Sequence, residues 1–412
     1  MDASAIVAQL TAPDTRADPY PLYEQAQRLG PVLWVSDTFV VVTGHAEADR
    51  VLRDRDFGVL DRELTAAVFG GTEEPQSWGL LGRSILQSNP PVHTRLRKPI
   101  AAVFTARRIA ALRPAVESAV DRLLAGMAEA GRDGAPVDFM DRFAFALPVG
   151  VICELLGVPE ADRYRFRGPA HDLTEALEFM SGELDLSAAD RAAHELAGYF
   201  EDLVAERRAA PREDLIGALV RLRDEDPEQA ITDAELIANL VLLLVAGFET
   251  TTNLLGNGLA LLDAHPGVRT ALARRALPMA SFVEEVLRHD SPVQLTSRIA
   301  LTDGLTVGGR ALPHHGEVLV LIGAANRDPA RYHEPQRFDP WRAENGPLSF
   351  GAGIHYCVGA MLARLEAEVA FERLLARFPA LTRAPGATRH DRLLLRGYGE
   401  LPITLGDSPT GA

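Results

Sequence analysis

The chain has little cysteine, little positive charge and no punctuation that would divide it. Two cysteines in 412 residues exclude a disulfide framework and fit a reducing compartment, so a cytoplasmic location is expected. A formal net charge of −15 disfavours nucleic acid as the main partner, because a polyanion is repelled by such a surface. The opening Met-Asp-Ala-Ser-Ala-Ile-Val-Ala-Gln-Leu has no basic region before an apolar run, so no secretory leader is expected, and no hydrophobic anchor follows it. Repeats, low-complexity runs and linkers are missing as well. The breaks at Pro211-Arg-Glu-Asp214, at 304–309 and at Gly346-Pro347 read as loops within one body. Length alone would allow two or three domains; a single domain over 1–412 is the expectation. With 47% hydrophobic and 24% charged residues, the composition is that of a globular protein with ample core.

The two cysteines differ in kind. Cys153 sits in an apolar helical stretch, Leu147-Pro-Val-Gly-Val-Ile-Cys-Glu-Leu-Leu-Gly157, and reads as a buried structural residue. Cys357 lies in Phe350-Gly-Ala-Gly-Ile-His-Tyr-Cys-Val-Gly359, between a glycine-bearing loop and a helix expected over 358–376. Met361, Leu362, Leu365, Val369, Leu374 and Leu375 give that helix its apolar spacing. A thiolate there receives loop amides and the positive end of a helix dipole. Gly351, Gly353 and Gly359 allow tight turns and the close approach of a flat partner. This is a nest for a metal-bound thiolate.

A second constellation lies about a hundred residues earlier. Thr232-Asp-Ala-Glu235 is a capping box, and the helical pattern it opens runs to about Asp263, before His265-Pro266. Between 236 and 262 the only charged side chain is Glu249. A membrane span is disfavoured, because Glu249, Thr250, Thr251, Thr252, Asn239, Asn253 and Asn257 are too polar for a lone span. A helix buried within a soluble protein fits better. Glu249 and Thr250 form an acid–alcohol pair, and Gly247 lies on the face of Thr250. Glycine inside a helix costs about 1 kcal/mol relative to alanine, which implies close approach by another group. If Thr250 turns its hydroxyl to the carbonyl of Ala246, the helix loosens into a groove.

The fixed positions of the cysteine loop, Phe-Gly-x-Gly-x-His-x-Cys-x-Gly, resemble the haem-ligand loop of the cytochrome P-450 family. Ala246-Gly-Phe-Glu-Thr-Thr251 resembles that family's oxygen-activation motif, with Glu249 at a position taken by Asp or Glu. The resemblance extends from near Asp18-Pro-Tyr to the Leu401-Pro-Ile segment. It implies a mainly α fold with small β-sheets and a long central helix over one haem b. Strands are expected at 32–35, 39–43, 297–301 and 318–322.

The resemblance also implies the site. Cys357 ligates the iron, and Phe350, Gly351, Gly359, Ala246 and Gly247 lie against the haem. His93 and Arg97, four apart and read as a cationic pair, face the propionates with Arg298 and His355. Thr250 positions O2, and Glu249 relays protons. Glu285 and Arg288, with Arg342 from a later loop, form a structural trio under the haem. Candidate substrate-lining residues are Leu242, Val245, Val293, Leu295 and Tyr398, together with the 59–89 and 169–187 regions. Arg62, Arg83 and His171 could meet a polar substrate, although a solvent-facing role is the plainer reading of each.

The implied activity is insertion of one oxygen atom from O2 into an apolar small molecule, by hydroxylation or epoxidation, in natural-product metabolism. The length leaves no residues for a flavin or iron–sulfur domain, so a ferredoxin and a ferredoxin reductase are the expected electron donors. The 95–113 run holds six basic residues and no acidic one. It reads equally as a docking patch for an acidic ferredoxin and as a solvated face. An oxidative-coupling or ring-forming enzyme could share every motif. A peroxygenase, or a haem-binding sensor or carrier, would have less need of the Glu249–Thr250 pair.

Overall fold

The computed structural model describes residues 1–69, 74–178, 185–225, 231–343 and 345–406. Helices dominate and the sheets are small. The chain forms two compact units. One comprises Met1–Phe57, Ala111–Leu147 and Thr250–Ala412; the other comprises Gly58–Ala110 and Pro148–Glu249.

In the first unit the principal sheet takes its strands in the order Val32–Trp34, Phe39–Val42, Glu317–Val320 and Thr296–Ala300, with Phe57–Gly58 at the edge. The expected strands are all present, displaced by at most two residues at an end. Val40, Val41 and Val42 are fully buried, and their β-branched side chains suit a pleated surface packed on both faces. Phe39–Val42 runs parallel to Glu317–Val320, Val40 opposite Val318, and Thr296–Ala300 runs antiparallel beside it.

The Met279–His289 helix supplies an anchor. Glu285 and Arg288 have no exposed side-chain surface, and their two hydrogen bonds are each 2.7 Å. Arg288 also donates to the carbonyls of Asn326, Pro335 and Arg337. Glu285 accepts from the Asp339 amide at 2.7 Å and from Arg342 at 3.3 Å. The expected trio is therefore assembled, and the backbone of 326–339 is wrapped around it.

In the second unit the capping box closes as the sequence requires. Glu235 accepts from the Thr232 amide at 2.8 Å, and Thr232 Oγ1 accepts from the Glu235 amide at 3.2 Å. The helix it starts, Asp233–Ala264, has 32 residues, or about 48 Å. Its composition would suffice for a bilayer span, yet most of its apolar window is buried inside the protein. Glu235 also takes both guanidinium arms of Arg95, at 2.9 and 2.6 Å. Asn239 accepts from the Ile85 amide at 3.0 Å. These bonds fix the start of the long helix against the Val92–Ala101 helix and the segment before it.

Candidate active site

The Cys357 loop is built by backbone before any side chain acts. Gly351 donates to Leu348 O at 2.8 Å, Tyr356 to Gly353 O at 3.1 Å, and Cys357 to Phe350 O at 2.9 Å. Gly353 adopts φ +68°, and a Cβ there would fall 2.2 Å from Leu52 O. Its freedom is thus spent on the His45–Arg53 helix. Gly351 shares the left-handed conformation, φ +67°, with nothing nearer than 3.9 Å to a Cβ. Gly359 caps the Ala360–Arg377 helix rather than lying inside it, so that helix starts two residues later than expected.

The loop is bolted to the buried trio through Asn326. Arg288 holds the Asn326 carbonyl, while the Asn326 side chain accepts from the Leu348 amide at 2.7 Å and donates to Ser349 Oγ at 2.9 Å. Ser349 Oγ in turn donates to Leu287 O at 2.6 Å. On the outside, Arg364 pairs with Glu284, donates to the Tyr356 hydroxyl and covers the Phe350 ring. The result is an exposed Cys357 thiol on a rigid turn ahead of an 18-residue helix. Cys153, by contrast, is buried, and burial pushes its thiol up to about 12. One sulfur is presented to a partner, and the other is sealed.

The long helix carries a matching opening. From Leu236 to Ala260 every residue is buried except Ala246, which is exposed, and Gly247 and Thr250, which are half-buried. These three form one stripe at i, i+1 and i+4, flanked by buried Leu242, Val245 and Glu249. The close neighbour of Gly247 is Ile152, whose Cγ1 would lie 2.7 Å from a Cβ. Tight packing on the Ala146–Leu156 helix accounts for this glycine. Sequence could not supply that partner, 95 residues away along the chain.

Glu249 has company that sequence reasoning assigned to solvent. His171, on the Arg167–Leu173 helix, brings Nδ1 to 4.0 Å from Glu249 Oε1. The Glu249 side chain is 11% exposed and that of His171 is 38% exposed.

Among the cationic candidates, Arg298 is buried, and burial pulls its guanidinium down to about 10. Among the described residues its hydrogen bonds run from Nη1, to Thr296 Oγ1 at 3.2 Å and Ser297 O at 2.7 Å. Among the described residues no carboxylate pairs with it, so a buried charge awaits an anion. Burial, then the neighbouring Arg97, pushes the His93 imidazole down to about 4. His355 is half-buried in the cysteine loop.

Within the first unit the residues present fit a haem: Cys357 offers an exposed sulfur that would hold its iron, and the buried guanidinium of Arg298 would suit a propionate.

Of the expected substrate-lining residues, Leu295 and Tyr398 are buried and Val293 bridges to Leu395. The Tyr398 hydroxyl accepts from Arg389 at 3.1 Å. Residues 70–73 and 179–184, within the two expected lining regions, lie outside the described residues. Arg62 pairs with Glu74 at 3.1 Å, and Arg83 turns back to the Gly79 carbonyl.

The basic run divides. Arg95 is tied to Glu235, and Arg113 lies 3.6 Å from Glu117. Lys98, Arg107 and Arg108 are exposed and carry no ion pair among the described residues.

Comparison with known proteins agrees with this geometry. The family profile described as "Cytochrome P450" matches residues 169–391. The chain is 39% identical to 6-deoxyerythronolide B hydroxylase of Saccharopolyspora erythraea, over 96% of this chain and 99% of that one. It is 40% identical to the cytochrome P450 monooxygenase PikC of Streptomyces venezuelae, over 95% and 92% of the respective chains. The ligand-free crystal structure of CYP164A2 from Mycobacterium smegmatis superposes with a TM-score of 0.88 at 37% identity, covering 98% of this chain and 100% of that one. Motifs, fold and relatives converge on a haem-thiolate monooxygenase scaffold, and the chain belongs to the cytochrome P-450 family.

Proposed function

We propose that this chain, as one haem domain over 1–412, inserts one oxygen atom from O2 into an apolar small molecule of natural-product metabolism by hydroxylation or epoxidation. The exposed Cys357 thiol, held on a turn that the buried Glu285–Arg288 pair braces through Asn326, carries the reading. Cys357 Sγ would hold the iron of haem b, and Phe350, Gly351, Gly359, Ala246 and Gly247 would be its other neighbours. Arg298, Arg97, His93 and His355 would hold the propionates. The haem, when bound, supplies the iron at which O2 is activated.

The chain's own residues do the rest. Thr250 Oγ1 orients a hydrogen bond into the stripe beside Ala246. Glu249 holds a proton at its carboxylate next to that hydroxyl; a positioned acid of this kind contributes ~10²–10⁴-fold. Leu242, Val245, Val293, Leu295 and the Tyr398 ring present apolar surface to the substrate and exclude water. Electrons would come from a ferredoxin and its reductase in the cytoplasm, with Lys98, Arg107 and Arg108 offering an acidic donor a positive face. The two named relatives, a 6-deoxyerythronolide B hydroxylase and a monooxygenase, support the substrate class.

The test is the ferrous carbon-monoxide difference spectrum of wild type beside Cys357→Ser. A thiolate-type red-shifted Soret band, lost in the variant, is expected. A histidine-type band in well-folded wild type would overturn the assignment.

A further inference from the structure

We propose that His171 is the solvent-side proton donor to Glu249, an inference that rests on the reading of Glu249 and Thr250 as a proton relay. Glu249 needs a supply, since its side chain is only 11% exposed and sits in a helix buried on both sides of the Ala246–Thr250 stripe. His171 Nδ1 lies 4.0 Å from Glu249 Oε1, and the imidazole is 38% exposed. The imidazole is therefore within reach of both solvent and the carboxylate. No residue spacing suggested this pairing, because 78 positions separate the two along the chain.

The step balances without a further reactant. The proton on Nδ1 of the imidazolium moves to Oε1 of the carboxylate, directly after a small rotation or through one bridging water. That leaves neutral imidazole and neutral carboxyl. Glu249 passes its proton towards Thr250 Oγ1 and is again a carboxylate, while solvent reprotonates His171.

Neighbouring charges set the context. The Arg167–Leu173 helix packs on Glu160–Phe166, Thr174–Leu177 and Ser187–Ala209. Its own charged residues besides His171 are Arg167 and Asp172, and Glu175 follows on the next turn. On the preceding segment Asp162 accepts from the Tyr199 hydroxyl, Arg163 lies 4.0 Å from Glu160, and Arg165 lies 3.9 Å from Glu195. On Ser187–Ala209, Asp190 is taken by the amide and hydroxyl of Ser77; Arg191, His194, Glu195, Glu201 and Asp202 follow, and Glu206, Arg207 and Arg208 lie in its last turn. The long helix contributes Glu249 alone between 236 and 262.

Four proteins decide the matter: wild type, Glu249→Gln, His171→Gln and His171→Asn, the last so that one misfolded variant is not decisive. The first readout is independent of turnover. In the ferrous carbon-monoxide holoprotein, the imidazole ¹⁵N signals of His171 should move on Glu249→Gln; unmoved signals would overturn the inference.

The second readout is product formed per NAD(P)H consumed. The His171 variants should be as poorly coupled as Glu249→Gln. Well-coupled His171 variants beside an uncoupled Glu249→Gln would remove His171 and leave the relay standing. A fully coupled Glu249→Gln would remove the relay itself.

Discussion

Replacing Arg288 by lysine keeps the charge and removes the fork, which makes it a sharp probe of the anchor under the cysteine loop. All five guanidinium N–H groups are used: two by Glu285 at 2.7 Å each, and three by the carbonyls of Asn326, Pro335 and Arg337 at 3.0, 2.9 and 3.0 Å. An ammonium has three donors radiating from one point, so at least two of these five bonds are lost, although Glu285 Oε1 and the Arg337 carbonyl also accept from Arg342. A hydrogen bond to a charged group is worth about 1.5–3 kcal/mol, giving about 3–6 kcal/mol in total. That is a large share of a net stability of roughly 5–15 kcal/mol. Urea denaturation followed by far-UV circular dichroism should show the loss as a much lower midpoint. Arg342→Lys is the control, because Arg342 meets Glu285 only at 3.3 Å and keeps some exposure; its midpoint should fall less. An Arg288→Lys midpoint within error of wild type would refute the donor count.

Three further outcomes are expected. Burial pushes the Asp290 carboxyl up, but Arg396 and Arg389 pull it down by more, leaving it well below the ordinary aspartate range. Its contribution is therefore present above the unfolded value near ~3.9 and lost as pH falls through the lower folded value. Asp290→Asn should lower the denaturation midpoint at pH 7 and flatten its acid limb between about pH 4 and the folded value; parallel limbs would count against the network. Gly353→Ala must meet Leu52 O at 2.2 Å in addition to the left-handed penalty of ~1–2 kcal/mol, whereas Gly351→Ala faces the penalty alone. The first should lose the thiolate-type carbon-monoxide band and the second retain it, and equal spectra would refute the distinction. Thr250→Ala should still bind haem while electrons are lost to peroxide, and unchanged product per NAD(P)H would remove Thr250 from the relay.

What could be read from the sequence follows the range of the interactions. The Thr232–Glu235 box was legible because both partners lie within one turn. The cysteine loop was legible because its chemistry is confined to ten consecutive residues. The Glu285–Arg288 pair was visible as helical spacing, and Arg342 through family resemblance. Burial is different, since it is decided by what packs around a residue. The lowered pKa of His93, the burial of Arg298 and the approach of His171 to Glu249 all depend on it. Gly247 was rightly expected to admit a close neighbour, but only packing shows that Ile152 takes that place.

The double use of Asn326 has a consequence for how the protein fails. Its carbonyl belongs to the buried charge pair and its side-chain amide to the cysteine loop, so neither can loosen while the other stays whole. If haem is held by Cys357 as proposed, its colour should then report the integrity of this anchor and fade in step with it. On that proposal, damage at Arg288 would read as an altered sulfur bond although no atom at the iron had changed.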